Sequence, residues 1–376
     1  MKKFTDKAVS VLERGNFLKY QYWLSNIKGL GSRTILRILQ QTNSAEETYF
    51  LPKEQLLKID ALTEEMAERI IESKALWNLD EKWEKLGEMG ITFYSQEMEH
   101  FPETLKNISD APYSIYVKGR LPEEKKRRIA IVGARRCSEY GRVMAMEIGK
   151  KLAMHKAQVI SGMAGGIDSY GHMGALEGKG ETFAVLGCGV DICYPWKNRE
   201  LYEQIQKTGG IISEYPPGTQ PRQQLFPARN RIISAFSEII VVVEAKERSG
   251  SLITADFALE QGKDIYAVPG RSTDALSRGC NSLIRQGAGI ITGVDEFLCD
   301  LEICTIKEDF QENFYKLLLE KDESMVYSCL DLQPKSINEL GNRTHLSPQK
   351  LADVLGRLIQ KEFVKEVFKN FYIRKI

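Results

Sequence analysis

Seven short apolar runs rich in valine and isoleucine most constrain what this chain can fold into. They do not alternate apolar with polar residues, which is typical of strands buried on both faces of a sheet. Each is followed by a turn and a stretch of helical composition. Strands alternating with helices predict a parallel sheet covered on both sides, a Rossmann-like α/β core. The runs are 129–132, 158–160, 183–186, 210–213, 239–243, 265–268 and 290–291.

The sequence before this core has a different texture. Residues 1–120 read as helical, with apolar residues at helical spacing around the turn Gly29-Leu30-Gly31. We therefore expect a small N-terminal helical domain over 1–120 and the Rossmann-like domain over 121–300.

The sequence after the core predicts a third domain over 312–376, beyond a linker from Asp300 to Gln311. It reads as three helices followed by a two-stranded hairpin, which is the order of a winged helix. Ser347 is expected to cap the third helix, with Pro348 in its first position.

Composition excludes several functional classes. The net charge of this 376-residue chain is only +1, so any positive surface for nucleic acid must be local. The seven cysteines form no C-x-x-C pair, which favours reduced thiols over disulfides or zinc. No apolar run is long enough to span a membrane, and the acidic residues near the start argue against a signal peptide. The expected location is the cytoplasm.

The loops that follow the predicted strands carry glycine, serine and arginine. In an open parallel sheet, ligands bind at the carboxyl ends of the strands. Backbone N–H groups beside glycine, helix N-termini and forked guanidinium groups all bind phosphate oxygens. The predicted contacts are Gly133, Arg135, Arg136, Ser161, Gly162, Phe226, Arg229, Arg231, Ser249, Gly250 and Arg271, with Phe226, Tyr140 and Tyr215 as rings on which bases could stack.

The number of these loops predicts more than one phosphate. Neither a complete G-x-G-x-x-G nor a complete P-loop is present, so the pattern favours a phosphate chain over a mononucleotide. The segment Pro216–Ser237, with three arginines and no acid, suits such a chain.

Ordinary structural roles compete with these interpretations. Arg229 and Arg231 would instead pair with carboxylates such as Glu214 and Glu244, and Tyr140 and Phe226 would be core aromatics.

Three further polar residues favour structural roles. Asp168 is expected to cap a helix, Glu244 to pin an arginine rather than act as an acid–base group, and His172 to be structural. With four histidines and no G-x-S-x-G elbow, we expect no catalytic residue, metal or cofactor.

Several motifs in order resemble the family of DNA-processing protein A, also called Smf. They are Phe101-Pro102, Asp110-x-Pro112, Gly133-x-Arg135, Ser161-Gly162-x-Ala164-x-Gly166-Ile167-Asp168, Phe226-Pro227-x-Arg229-Asn230-Arg231, Ser249-Gly250-Ser251, Val268-Pro269-Gly270 and Gly279-x-Asn281.

This resemblance implies binding of single-stranded DNA without sequence preference, dimerisation through the Rossmann-like domain, loading of the RecA recombinase during natural transformation, and no enzymatic activity. It also implies an N-terminal domain of the SAM or helix-hairpin-helix sort. Carried over residue by residue, it points to Arg135, Arg229, Arg231 and Lys263 as DNA contacts, and Phe226 is our candidate for the stacking ring.

Two other functions compete. Nucleoside-monophosphate phosphoribohydrolases share a related fold but use a proline-glycine-glycine loop, where this chain has Pro269-Gly270-Arg271-Ser272. A transcription regulator would read duplex DNA through the winged helix. The near-balanced charge of the tail favours protein contact there instead.

Overall fold

The computed structural model describes residues 11–303, 319–331 and 333–375. The chain divides into two compact units, Met1–Cys304 and Thr305–Ile376. The segment 1–10 and most of the predicted linker lie outside the described residues.

The first unit begins with a helical region around its own apolar cluster, in which Trp23, Leu24 and Ile38 are buried. Side-chain oxygens of Ser44, Thr63 and Asn78 accept backbone hydrogen bonds at three of the helix starts. The helices are α1 (Val11–Ser25), α2 (Ser32–Thr42), α3 (Ala45–Phe50), α4 (Lys53–Leu56), α5 (Glu64–Leu76) and α6 (Leu79–Glu88).

A nine-stranded sheet forms the rest of the first unit, in the order β1-β2-β6-β5-β4-β3-β7-β8-β9. Strands β3 to β9 pair in parallel, whereas β1 and β2 add an antiparallel edge next to β6. The strands are β1 (Ile91–Ser95), β2 (Ser114–Gly119), β3 (Arg128–Val132), β4 (Gln158–Ser161), β5 (Thr182–Val185), β6 (Gly210–Ser213), β7 (Ile239–Val242), β8 (Asp264–Ala267) and β9 (Gly289–Ile290).

Successive residues of the central strands alternate between two apolar cores. Ala130 and Val132 of β3 pack in one cluster, whereas Ile129 and Ile131 pack in another. All are almost fully buried, so both faces of the sheet are covered, as the unbroken apolar runs predict.

Further helices of the first unit are α7 (Glu103–Lys106), α8 (Glu139–Met154), α9 (Ile167–Glu177), α10 (Arg199–Thr208), α11 (Leu225–Phe236), α12 (Gly250–Glu260), α13 (Arg278–Arg285) and α14 (Val294–Asp300), with a short 3₁₀ turn at Trp196–Asn198. Helices α8 to α13 connect the parallel strands, whereas α7 lies between β1 and β2 and α14 follows β9.

The seven predicted parallel strands are all present, in a Rossmann-like order. From β3 the chain builds outward through β4, β5 and β6, then returns to place β7 on the other side of β3. Strands β3 and β7 therefore flank the point where the order reverses, which is where open α/β sheets bind ligands.

The helical prediction for 1–120 is wrong over its last part. Strands β1 and β2 lie within that range and belong to the main sheet. In β1, the buried residues Ile91, Phe93 and Ser95 alternate with more exposed ones. In the sequence this short strand follows directly on a charged helix.

The second unit has its own core, which includes Val326, Leu355 and Tyr372. Ser347 accepts a hydrogen bond from the Lys350 backbone N–H and Pro348 occupies the first turn, as predicted. A short first strand, which the sequence did not predict, completes a three-stranded sheet. The elements are α15 (Lys321–Ser328), β10 (Lys335–Ser336), α16 (Ile337–Thr344), α17 (Pro348–Gln360), β11 (Val364–Phe368) and β12 (Phe371–Arg374).

Candidate nucleic-acid interface

Two adjoining cavities open at the carboxyl ends of the central strands. The larger, about 500 Å³, lies between the loops that follow β3 and β7. The smaller, about 220 Å³, extends towards the loop after β5. We call them together the groove, because both are lined by Arg135, Arg136, Ala164, Phe226 and Arg229.

Both ends of the loop after β3 are held by Glu244, which lies two residues beyond the end of β7. The Glu244 backbone oxygen accepts a hydrogen bond from Ala134 N at 2.8 Å. Its buried carboxylate accepts two more, from Ser138 N at 2.9 Å and Ser138 Oγ at 2.5 Å. Arg135 and Arg136 lie between these anchors, so their backbone is fixed while their side chains are exposed.

Exposed cations line the groove without carboxylate partners. Arg135 and Arg136 contribute from the loop after β3, Lys246 and Arg248 from the loop after β7, and Lys197 from the loop after β5. In the part of the chain that the structure describes, none of the five forms an ion pair. The one acidic lining residue, Asp168, is buried. The groove therefore presents a positive potential to solvent.

Helix N-termini add to this potential. Helices α8, α9 and α12 each follow a loop that lines the groove, and α12 has no acidic residue in its first turn. The backbone N–H groups at such ends favour an anion.

Arg229 lies in the floor of the groove, with 4% of its surface exposed. Its Nη1 donates to the carbonyl oxygen of Gly162 at 2.8 Å and also to that of Val185. A Cβ atom at Gly162 would lie 2.6 Å from the guanidinium, so a larger residue there would displace the Arg229 side chain. Burial lowers the pKa of Arg229, and the charge of Asp168 opposes this shift.

Asp168 is a second buried charged group near Arg229, and each of the two charges stabilises the other. Burial raises the pKa of Asp168, while Arg229 and the backbone amides of Ala164, Gly162 and Gly133 lower it. A carboxylate in this position ties together the loops after β3 and β4.

Aromatic rings form the wall between the two cavities. Tyr194 stacks on Phe226 with ring centroids 5.4 Å apart and an interplanar angle of 20°. The Arg135 guanidinium carbon lies 5.2 Å from the centroid of Phe226. The predicted stacking ring is thus a groove residue rather than a core aromatic.

The structure brings most of the predicted contacts together and leaves four outside the groove. The residues that line it are Gly133, Arg135, Arg136, Gly162, Phe226, Arg229, Ser249 and Gly250. Ser161 is buried and donates to the Ile131 oxygen at 2.6 Å. Lys263 lines a separate cavity beside β8, and exposed Arg271 lines neither part of the groove.

Arg231 is the fourth, and for it the structural interpretation is correct. Its guanidinium forms a two-pronged pair with Glu214 at 3.0 and 2.7 Å and also reaches Asp110 at 3.2 Å. Arg231 is 6% exposed and lines neither part of the groove. Arg229 and Arg231 are two positions apart on one helix and face different surroundings.

Three other assignments need comment. Gly166, not Asp168, precedes the first turn of α9, so the predicted cap is wrong. Glu244 anchors Ser138 rather than an arginine. His172 is fully buried, with Nδ1 2.6 Å from Thr182 Oγ1, and burial lowers its pKa to about 3, as suits a structural residue.

The lining residues that sequence reasoning did not predict include one aromatic residue and three cations: Tyr194, Lys197, Lys246 and Arg248. Lys246 and Arg248 had a usable signal, because they follow the strand next to the reversal point. Tyr194 and Lys197 reach the groove through the 3₁₀ turn after β5, which no sequence pattern indicated.

Within the described ranges 11–303, 319–331 and 333–375, histidine, cysteine and carboxylate side chains form no group of three able to hold a metal. Of the helices described, none has the length and apolarity needed to cross a bilayer.

The fold and the groove define a class: a Rossmann-like α/β protein with a positively charged groove at the carboxyl ends of its central strands. The family model described as DNA recombination-mediator protein A matches residues 92–302. The chain belongs to this family, whose members mediate recombination and are not enzymes. The phosphoribohydrolase alternative is therefore set aside.

Known relatives agree with this assignment. DNA processing protein DprA of Streptococcus pneumoniae is 42% identical over 202 residues, 54% of this chain and 71% of that protein. A solved structure of the DprA protein from that species has a TM-score of 0.66 and 34% identity, covering 75% of this chain and 97% of the other. A structure of DNA processing protein A from Helicobacter pylori, described for its single-stranded DNA binding mode, has a TM-score of 0.51 and 28% identity over 57% and 97%.

Proposed function

We propose that this chain binds single-stranded DNA in the groove, without sequence preference. The observation that carries the proposal is the set of five exposed cations around one concave rim, none of which has a carboxylate partner among the described residues. Such cations neutralise phosphates, and the aromatic wall at Phe226 and Tyr194 suits unpaired bases. Backbone amides, cations and rings do not distinguish one base from another. The Helicobacter pylori relative, whose structure concerns single-stranded DNA, supports this ligand.

Binding of oligo(dT) to the full chain tests this proposal. We expect micromolar or tighter affinity, and a logarithmic salt slope of about −0.7 for each phosphate neutralised. Duplex DNA of equal length should compete poorly, because its paired bases cannot stack on the aromatic wall. Equal affinity for duplex and single strand, or an affinity insensitive to salt, would contradict the proposal. Fluorescence anisotropy over a series of salt concentrations measures both.

We further propose that the bound strand is handed to the RecA recombinase. The support is the family, which consists of recombination mediators. We expect the full chain to shorten the lag of RecA assembly on oligo(dT) coated with a single-strand-binding protein. With a variant in which Arg135 and Arg136 are replaced, the lag of RecA assembly should equal the lag measured without the protein. No shortening by the wild-type chain would exclude this role while leaving strand binding intact.

A second copy of the chain is the partner we propose for the outer edge of the sheet. Strand β9 pairs only with Tyr266 and Ala267 of β8, and a cavity of about 460 Å³ that includes Lys263 lies beside the start of β8. Exposed Leu259 and Ile290 supply apolar surface at this edge. An edge of this kind favours pairing between identical chains.

For the second unit we propose a winged helix that contacts protein rather than duplex DNA. Its order of helix, strand, two helices and hairpin supports the fold. The cations of α17 support the role, since Lys350 pairs with Asp322 at 2.6 Å and Arg357 with Glu323 at 3.1 Å. Cations already paired within the domain are poor phosphate ligands.

A further inference from the structure

Trp196 is an exposed tryptophan between Pro195 and Lys197, two residues that line the smaller cavity of the groove. Trp196 is 67% exposed, whereas Trp23 is fully buried and Trp77 and Trp83 pack against apolar clusters. Tryptophan is the largest apolar side chain, so leaving it in water forgoes a large gain from burial. An exposed ring of this size beside a binding groove indicates that the ring itself contacts a ligand.

The turn that carries Trp196 is fixed to the groove. Within the 3₁₀ turn, buried Asn198 donates from Nδ2 to the Met163 oxygen at 2.9 Å and to Ser169 Oγ at 2.8 Å. Both acceptors lie next to Ala164 and Asp168, which line the groove. Trp196 is thus held by a rigid element at a defined distance from the binding surface.

An aromatic residue precedes Trp196 in the chain and cationic residues follow it, and both kinds also line the groove. Tyr194 and Lys197 line the smaller cavity. The Arg199 guanidinium carbon lies 4.9 Å from the indole centroid and its charge is paired with Glu203 at 2.9 Å, so Arg199 supports the ring. Lys197 has no such partner among the described residues and remains available to a phosphate.

We propose that Trp196 is a stacking platform for a further base of the same strand, immediately outside the groove and beyond Tyr194. The proposal rests on the proposed single-strand binding and adds one base to the bound strand. Lys197, which follows Trp196 and lines the smaller cavity, would bind the adjacent phosphate. Stacking on an aromatic ring is tolerant of base identity, which suits binding without sequence preference.

Two measurements on the full chain test the platform. Saturating oligo(dT) should quench wild-type tryptophan emission and shield it from iodide, and Trp196→Phe should abolish the DNA-dependent change, because the other three tryptophans lie away from the strand. Trp196→Ala should weaken oligo(dT) binding roughly tenfold. Phe50→Ala, at a ring 68% exposed on helix α3, is the matched control and should bind as wild type does.

Two outcomes overturn the platform. One is unchanged oligo(dT) affinity in Trp196→Ala together with emission that DNA does not alter. The other is shielding of Trp196 that depends on protein concentration without DNA, which would assign the ring to a second copy of the chain. The groove itself is judged separately by Arg135 and Arg136, so it stands or falls independently of Trp196.

Discussion

Replacing both Arg135 and Arg136 by alanine is expected to weaken oligo(dT) binding about a hundredfold. A hydrogen bond from a charged donor contributes about 1.5–3 kcal/mol, and roughly 1.4 kcal/mol corresponds to a tenfold change in affinity. Both side chains are exposed, lack carboxylate partners in the described residues and line both cavities. The logarithmic salt slope should fall in magnitude by about 1.4, since two phosphate contacts are lost.

A matched control comes from a cation that was predicted at the site and that the structure places outside it. Arg271→Ala removes one positive charge at an exposed position that lines neither part of the groove. If general surface charge rather than the groove drives binding, this variant will lose as much affinity per charge as the arginine pair. Anisotropy titrations at two salt concentrations separate the two cases, and unfolding curves confirm that the fold is retained.

The parallel core could be predicted because its signal is local. Each buried strand is a continuous apolar run, and the strand order follows the general preference of alternating strands and helices. The antiparallel edge could not be predicted, because it joins the main sheet through a strand, β6, that is distant in the sequence. Pairing of β2 with β6 joins Tyr116 to Ser213, which no local pattern specifies.

The site could be predicted only in part, for a related reason. Glycine-rich loops after parallel strands identify the rim, and six of the loops' predicted residues line the groove together with Phe226 and Arg229. Whether an arginine faces the ligand or a carboxylate depends on contacts distant in sequence. Arg231 meets Asp110, and Lys197 reaches the groove only because Asn198 is tied to Met163.

Arg229 is the residue for which the structure most changes the expected result. An arginine that only contacted DNA would tolerate substitution. Here the guanidinium is buried, donates to two strand-end carbonyl oxygens and balances buried Asp168. Removing one member of a buried charge pair typically costs about 3–5 kcal/mol, because the remaining charge is left without compensation.

Arg229→Met is therefore expected to destabilise the first unit by about 3–5 kcal/mol, and to reduce DNA binding mainly through that loss. Urea unfolding followed by tryptophan fluorescence measures it, since all four tryptophans lie in that unit. Asp168→Asn combined with Arg229→Met should recover part of the loss, because the double variant buries no unpaired charge. Arg231→Met, beside the exposed Asp110 and the largely buried Glu214, is the comparison on the same helix.

The pH dependence of the single variant provides a further test of this charge balance. Burial already raises the pKa of Asp168 in the folded state, and loss of the Arg229 charge should raise it further. The unfolded chain then releases its Asp168 proton at lower pH than the folded one, so the stability of Arg229→Met falls as pH rises through this interval. The difference from wild type should shrink on acidification. A difference that is constant with pH would show that Arg229 acts through its hydrogen bonds to Gly162 and Val185 alone.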